Sequence, residues 1–323
     1  MARFFLKGAA LILLIALTGT AIIAFPGAYL HELAAVINKR DMLVSRKPPR
    51  LVFMGGSNLL PLNGPALERE LNMPVVNMGL YANMPLEDFF DDMAGYLTSG
   101  DIVVIVMEYQ KLFSEGSNRL DETERIRVEQ FMSLLSPGKY ALRCIRRGTP
   151  FDIGRIWVSL IQLKLKALIK FGTDGKLNVA LKPGVPRYDD LFDANGDSKY
   201  SFLVLRPLKG VGVIYNSPGP ESSARLKHMV EEGKKWGFRV LFSYPPIPES
   251  SYNLNRQQIG ELERILKKDL PSALINAPAD HCYPDGLFAD TVNHLQAGGE
   301  KIRSRKLAEE LKSRIMADKR GGE

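Results

Sequence analysis

The sequence predicts an α/β protein with a central parallel sheet of about five strands. Short apolar runs recur along the chain without polar alternation, as expected for strands that are covered on both faces. Segments of helical periodicity lie between them, and this alternation favours parallel strands joined by crossover helices. The predicted strands are 51–54, 75–76, 102–107, 237–242 and 273–276.

The predicted helices follow from residue spacing and from start signals. Apolar residues between 86 and 97 recur three and four positions apart, which places them on one face of a helix. Pro65 precedes another helical segment, at a position where proline needs no N–H partner. Further helices are predicted at 122–135, 151–171, 221–232 and 254–268, and after the loop around residue 294, with Leu307 and Leu311 facing inward.

The N-terminal segment predicts a membrane anchor, residues 1–30. Arg3 and Lys7 precede an uncharged run at 8–30, which is long enough for the roughly 20 residues that cross a bilayer. The cationic residues favour a single-pass protein with a cytoplasmic N-terminus, in contact with lipid through residues 8–30. A long, cleaved signal peptide is the alternative, and either places the following domain outside the cytoplasm, in the periplasm or the extracellular space.

The rest of the chain is predicted to form a linker, one large domain and a short tail. Residues 31–49 are predicted to be a juxtamembrane linker. Their end is basic and contains prolines, which suit a stiff spacer. The 323-residue chain, 45% hydrophobic, is ample for an α/β domain at 50–318. Residues 319–323 are a disordered tail.

A loop-rich insertion interrupts this domain at about 136–220. Glycine, proline and aspartate dominate its second half, which indicates turns and loops. Its basic amphipathic helix at 151–171 either packs on the sheet as a cap or lies on a membrane. The triplet 196–198 imitates a nucleophile signature, but the residues before it indicate a turn and no apolar strand leads into it.

Charge and residue spacing indicate which partners and cofactors to expect. The formal net charge is +7, yet no recognition motif accompanies it, so we expect no nucleic acid and instead a membrane or an anionic polymer. No cluster has metal-ligand spacing, so we predict no metal and no cofactor. Cys144 and Cys282 either form a disulfide or remain two free thiols.

A candidate nucleophile follows the first predicted strand. The strand breaks at two glycines and presents Ser57 at its carboxyl end, the edge at which α/β sheets bind ligands. A serine hydroxyl needs an imidazole to accept its proton and a carboxylate to orient that imidazole. Of the four histidines, His294 has Asp290 close before it, and His281 beside Asp280 is the competitor.

Three segments, 55–58, 75–80 and 290–294, resemble the blocks of the SGNH (GDSL-like) hydrolase superfamily. They are most similar to its membrane-anchored branch, which includes the alginate O-acetylation proteins and the D-alanyl-lipoteichoic acid transfer protein. The resemblance implies a three-layer, flavodoxin-like fold with Ser57, Asp290 and His294 as the catalytic residues. It also implies an oxyanion hole formed by the backbone amides of Ser57 and Gly79, with the Asn58 and Asn77 side chains as further donors.

The chain departs from the superfamily pattern at two places. Asp290 precedes His294 by four residues, whereas the superfamily spaces its acid and base as Asp-x-x-His. The third block ordinarily carries an asparagine after its strand, and here Glu108 and Tyr109 stand in that region. We expect Glu108, Tyr109 and Tyr244 to line the substrate site, with a capping or salt-bridge role for Glu108 as the equal alternative.

The resemblance implies a membrane-anchored, extracytoplasmic serine esterase or O-acyltransferase. Its substrate would be an acylated glycan of the cell envelope or an exported polysaccharide, or another acyl donor, and its partner a multi-spanning membrane acyltransferase. The alternative is a non-catalytic SGNH scaffold that binds glycan or that acyltransferase. The missing asparagine and the unusual Asp/His spacing motivate this alternative.

Overall fold

The computed structural model describes residues 31–80, 86–113, 192–199, 215–219 and 221–321, with a few isolated positions elsewhere. Nearly all of the predicted anchor, the helices predicted at 122–135 and 151–171, and most of the insertion lie outside the described residues. Among the described residues, no helix is both long enough and apolar enough to cross a bilayer. The chain divides into two compact units, 1–37 with 122–190 and 38–121 with 191–323; the second contains the sheet and the candidate site.

A parallel sheet forms the centre of this second unit. Its strands are β1 (Leu51–Gly55), β2 (Val75–Asn77), β3 (Ile102–Val106) and β4 (Arg239–Phe242). Their order is β2-β1-β3-β4, and each neighbouring pair is parallel. The predicted α/β class and parallel sheet are therefore confirmed.

The prediction of a fifth strand at 273–276 is wrong, because that segment makes only one isolated parallel bridge, between Phe242 and Leu274. The ladder stops because the Asn276 side chain replaces further backbone pairing. Its Oδ1 accepts the Tyr244 N–H at 3.0 Å, and its Nδ2 donates to Ser243 Oγ at 2.9 Å. The described sheet accordingly has four strands.

Helices and short elements surround the sheet. The helices are α1 (His31–Ser45), α2 (Gly64–Leu71), α3 (Leu86–Ala94), α4 (Tyr109–Phe113), α5 (Glu221–Trp236), α6 (Glu249–Leu254), α7 (Arg256–Asp269) and α8 (Ala297–Gly321). Two short parallel strands, β5 (Ile247–Pro248) and β6 (Cys282–Tyr283), pair separately. Single 3-10 turns occur at Ser57–Leu59, Pro278–His281 and Asp285–Leu287.

Two predictions, a linker and a helix, differ from the structure in detail. The predicted linker 31–49 begins with α1, whose second half is packed, since Lys39 and Leu43 are fully buried. The helix predicted at 254–268 begins only at Arg256, and α6 precedes it. They meet at Asn255, whose side chain accepts the Tyr215 N–H at 2.7 Å. Such a side chain-to-backbone bond competes with helix continuation.

Both faces of the sheet are covered by helices. Leu307 and Leu311 of α8 are fully buried, as predicted, in a cluster with Leu67 of α2 and with alternate residues of β1 and β3. Because side chains alternate across a strand, the intervening residues face the other side, where α3 contacts β1 and α5 contacts β4. This double cover explains why the strands read as continuous apolar runs.

A buried ion pair joins the starts of β1 and β3. Arg50 Nη2 lies 2.6 Å from Asp101 Oδ2, and the Arg50 backbone N–H donates to Asp101 Oδ1 at 2.7 Å. The remaining groups are also used: Arg50 donates to the carbonyls of Leu43 and Tyr96, and Asp101 accepts from Thr98 N–H at 2.9 Å. The pair thus connects α1, β1, β3 and the turn before β3.

The end of β1 has no room for a side chain at Gly55. A Cβ there would overlap the backbone carbonyl of Val106 on β3. We expect Gly55→Ala to lower the free energy of unfolding by about 1–3 kcal/mol, because the two strand ends would be forced apart.

Gly260 is the matched control for this substitution, measured by thermal unfolding of the full chain. A Cβ at Gly260, in α7, meets nothing within 4 Å. Alanine should therefore stabilise the protein there by about 0.5–1 kcal/mol. Equal unfolding temperatures for Gly55→Ala and wild type would contradict the close approach of the strands.

Candidate active site

The site lies where β1 and β3 end side by side. Their register pairs Gly55 with Val106, so residues two positions further on, Ser57 and Glu108, emerge together. Ser57 Oγ donates to Glu108 Oε1 at 3.1 Å. β1 is flanked by β2 on one side and β3 on the other, and a sheet with this order binds ligands at the point where the connections diverge.

A hydrogen bond from α8 stabilises the turn that carries Ser57. Arg303, fully buried in α8, donates from Nη1 to the Asn58 carbonyl at 2.5 Å. The Asn58 side chain donates from Nδ2 to the Val106 carbonyl at 3.4 Å, and the Leu60 N–H closes the turn on the Ser57 carbonyl at 3.1 Å. Sequence reasoning missed Arg303, because a basic residue on a helix rich in lysine and arginine reads as solvated.

Asp290 and His294 form a hydrogen-bonded pair on a narrow loop. Asp290 Oδ1 lies 2.8 Å from His294 Nδ1. The loop is closed by an antiparallel bridge between Phe288 and Leu295 and by a bond from Ala289 N–H to the His294 carbonyl at 2.8 Å. The four-residue spacing is therefore compatible with an acid that orients an imidazole, because the loop folds back on itself.

Glu108 links the two halves of the site electrostatically. It is only 3% exposed and Ser57 only 8%. Burial raises the pKa of Glu108 above its usual value, although the Ser57 hydrogen bond, the nearby charge of His294 and the Asn58 N–H each oppose the shift.

The second predicted block is tied together by Asn77. Its Nδ2 donates to the Leu59 carbonyl and to Asp197 Oδ1, both at 2.8 Å. Its Oδ1 accepts the Gly79 N–H at 2.8 Å. The Asn77 side chain and the Gly79 amide, both predicted oxyanion donors, are thus engaged within the protein, and Asn77 joins the nucleophile turn to the Gly79 segment.

A buried lysine supports the same segment. Lys39 Nζ donates to the carbonyls of Asn77 at 3.0 Å, of Gly196 at 2.9 Å and of Gly79. Burial lowers the pKa of Lys39 to about 7 and raises the pKa of neighbouring Asp197 to about 7. Lys39 was missed because its segment was assigned to a linker.

The triplet 196–198 was predicted to be an ordinary turn and not a nucleophile turn, and the structure agrees. Gly196 has a φ of +85° and its N–H donates to the Asp193 carbonyl at 3.1 Å. Asp197 is buried and accepts hydrogen bonds from the Asn77 side chain and the Gly64 N–H. The triplet therefore forms a turn that is anchored to the domain.

Tyr109 and Tyr244, predicted to contact substrate, are almost wholly buried. Their rings stack at a centroid distance of 6.5 Å, and Tyr215 stacks on Tyr109 at 5.8 Å. Neither the Tyr109 nor the Tyr244 hydroxyl has a hydrogen-bond partner among the described residues. In this structure the two tyrosines form an aromatic wall rather than an exposed surface.

His281, the alternative candidate for the base, is buried and hydrogen-bonded within the fold. His281 is fully buried between Glu310, 3.2 Å from its Nε2, and the Tyr283 hydroxyl, 3.0 Å from its Nδ1. Burial lowers the pKa of His281 despite the nearby Glu310 carboxylate. Both ring nitrogens are thus occupied by the fold.

Cys282 carries a free thiol whose pKa burial raises to about 11, and Cys144 lies outside the described residues. Within the described ranges, no group of three or more histidine, cysteine, aspartate or glutamate residues is arranged to hold a metal ion.

Comparisons with protein-family models and with curated proteins give no match. The resemblance of 55–58, 75–80 and 290–294 to the SGNH hydrolases therefore stays a prediction.

Proposed function

We propose that this protein is a serine esterase or O-acyltransferase of the SGNH type. The proposal is supported by a buried serine, Ser57, which follows the end of β1 and is hydrogen-bonded to Glu108, and by the hydrogen-bonded Asp290–His294 pair. The order β2-β1-β3-β4 also agrees with the flavodoxin-like order of the proposed three-layer fold.

The chemistry follows from these three residues. Ser57 Oγ attacks an acyl carbonyl while His294 accepts its proton, and Asp290 holds the imidazole in the required tautomer. The resulting acyl-enzyme passes its acyl group to water in an esterase or to a sugar hydroxyl in a transferase.

The location and substrate are further parts of the proposal. Residues 8–30 would anchor the protein in a membrane, with the domain outside the cytoplasm and an acylated glycan or another acyl donor as its substrate. A multi-spanning membrane acyltransferase would be its partner. The basis is the resemblance to the membrane-anchored SGNH branch and the uncharged N-terminal run.

Fluorophosphonate labelling of the full chain in a mild detergent tests the proposal. The reagent should modify wild type at Ser57, since an activated serine displaces its leaving group. Ser57→Ala should abolish labelling, whereas Ser272→Ala, at an exposed serine, should label like wild type. A folded wild type that is not labelled would contradict an activated serine.

A second candidate function is a non-catalytic scaffold that binds glycan or a membrane acyltransferase. It is favoured by the hydrogen bond from Gly79 N–H to Asn77 Oδ1, which occupies a proposed oxyanion donor. In this case Ser57→Ala would support biological function as well as wild type does. Loss of complementation by a folded Ser57→Ala protein would eliminate the scaffold.

A further inference from the structure

Glu108 lies against the proposed nucleophile rather than at the rim of the site. Its Oε1 accepts the Ser57 hydroxyl at 3.1 Å, and the Asn58 backbone N–H is directed to the same carboxyl group. The side chain is 3% exposed, so water screens it little. A carboxyl group in this position must affect any charge that develops on a substrate bound to Ser57.

Three of the four groups expected to stabilise such a charge already have hydrogen bonds within the protein. The Gly79 N–H donates to Asn77 Oδ1, and both hydrogen bonds of Asn77 Nδ2 go to protein oxygens. Asn58 Nδ2 donates to the Val106 carbonyl. The fourth expected donor is the Ser57 backbone N–H, and a second donor would stabilise the oxyanion further, since removing one such donor in well-studied hydrolases costs about a hundredfold or more in rate.

We propose that Glu108, as a neutral carboxylic acid, donates a hydrogen bond to the oxyanion formed when Ser57 attacks an ester. This role rests on the proposed function. The bond from Ser57 Oγ to the carbonyl carbon forms, the Ser57 proton moves to His294, and the carbonyl oxygen takes the negative charge. Glu108 keeps its proton throughout. When the bond to the leaving alkoxide breaks, His294 returns its proton to that oxygen.

The resting hydrogen bonds are consistent with this role. In a neutral carboxyl group, one oxygen accepts hydrogen bonds while the other carries the proton and donates. Oε1 is the acceptor of the Ser57 hydroxyl, which leaves the proton to Oε2. Once Ser57 has transferred its own proton to His294, the Glu108 hydroxyl can donate to the oxyanion.

The surroundings of Glu108 favour its neutral form. The groups that face it are the Ser57 hydroxyl and Asn58 N–H from the nucleophile turn, His294 from its loop and Lys111 from α4, and its charge acts on the Tyr215 phenol. Ser57, Asn58, His294 and Lys111 each lower the pKa of Glu108, but the effect of burial is larger and the pKa is raised. A buried carboxylic acid that stays neutral can serve as an oxyanion donor in an apolar site.

The sign of the pH dependence follows from the raised pKa. Ionised Glu108 is penalised in the folded state, so wild type loses stability as pH rises from the usual glutamate value of 4.5 through the folded pKa. Glu108→Gln removes the ionisable group, so this loss of stability with rising pH is absent in the variant. Its unfolding temperature relative to wild type should therefore increase with pH across this window.

The activity test uses p-nitrophenyl acetate and the full chain in a mild detergent. Glu108→Gln preserves a donor and should keep kcat/KM within about tenfold of wild type, whereas Glu108→Ala should lose about a hundredfold or more. Wild-type kcat/KM should decline as pH rises through the raised pKa of Glu108, and Glu108→Gln should lack that decline.

Two outcomes would overturn the role of Glu108 alone. The first is a folded Glu108→Gln enzyme that is as slow as Glu108→Ala, since the carboxylate would then be required. The second is a constant difference in unfolding temperature between wild type and Glu108→Gln across pH. Failure of the proposed function itself is distinguishable, because wild-type Ser57 would then also resist fluorophosphonate.

Discussion

Replacing His294 by alanine is expected to lower kcat for p-nitrophenyl acetate by a factor on the order of 10⁴ or more. Without the imidazole, Ser57 loses the base that the proposed mechanism assigns to it and stays a weak nucleophile. Asp290→Asn should cost a factor of about 10⁴, because the imidazole would then be held in the wrong tautomer. Initial rates of the purified full chain measure both effects.

His228 provides the matched control for this prediction. It is exposed on α5, with Asp91 3.2 Å from its Nε2, so His228→Ala should leave kcat unchanged. A folded His294→Ala enzyme with wild-type turnover would contradict the triad. If Glu108→Gln were then inactive, the Glu108 carboxylate that contacts Ser57 would be the base instead, and the donor role proposed for Glu108 would fail with the triad.

Asp101→Asn is expected to lower the free energy of unfolding by about 3–5 kcal/mol, because it leaves the Arg50 charge buried without its partner. The Arg50 and Asp101 side chains are 3% and 0% exposed, so water cannot replace the lost carboxylate. Asparagine keeps the shape of the side chain and one acceptor, which separates the loss of charge from the loss of packing. Denaturant unfolding of the full chain in a mild detergent gives the value.

An exposed ion pair supplies the comparison. Lys267 Nζ lies 2.7 Å from Glu263 Oε1 on α7, with Lys267 60% exposed. Glu263→Gln should change stability by less than about 1 kcal/mol, since solvent screens such pairs. If Asp101→Asn were equally mild, the Arg50–Asp101 pair would not be what joins the starts of β1 and β3.

Local patterns predicted the four strands of the sheet and selected Ser57, Asp290 and His294 as candidate catalytic residues. The apolar runs that became β1 and β3 could be read directly, because strands covered on both faces need no polar alternation. Ser57 was visible as the residue after a glycine-terminated strand, and His294 as one of four histidines with an aspartate nearby. Each of these signals lies within fewer than ten consecutive residues.

The predicted fifth strand failed because its apolar run contains no information about the partner of Asn276. Its side chain bonds Ser243 and the Tyr244 N–H, and those contacts depend on residues more than thirty positions away. The packing of the predicted linker was missed for the same reason, since the contacts of Lys39 are with residues distant in sequence. Nothing local to Lys39 indicates that its amine will be surrounded by carbonyls from residues 77, 79 and 196.

Sequence patterns alone therefore established the α/β class, the parallel sheet and the choice of Ser57, Asp290 and His294 as candidates. The folded arrangement added the contact between Ser57 and Glu108, which depends on the pairing of Gly55 with Val106. It also added the support of the Ser57 turn by Arg303 of α8. Periodicity and turn signals are local, whereas strand register and the burial of charged side chains arise only when distant segments pack together.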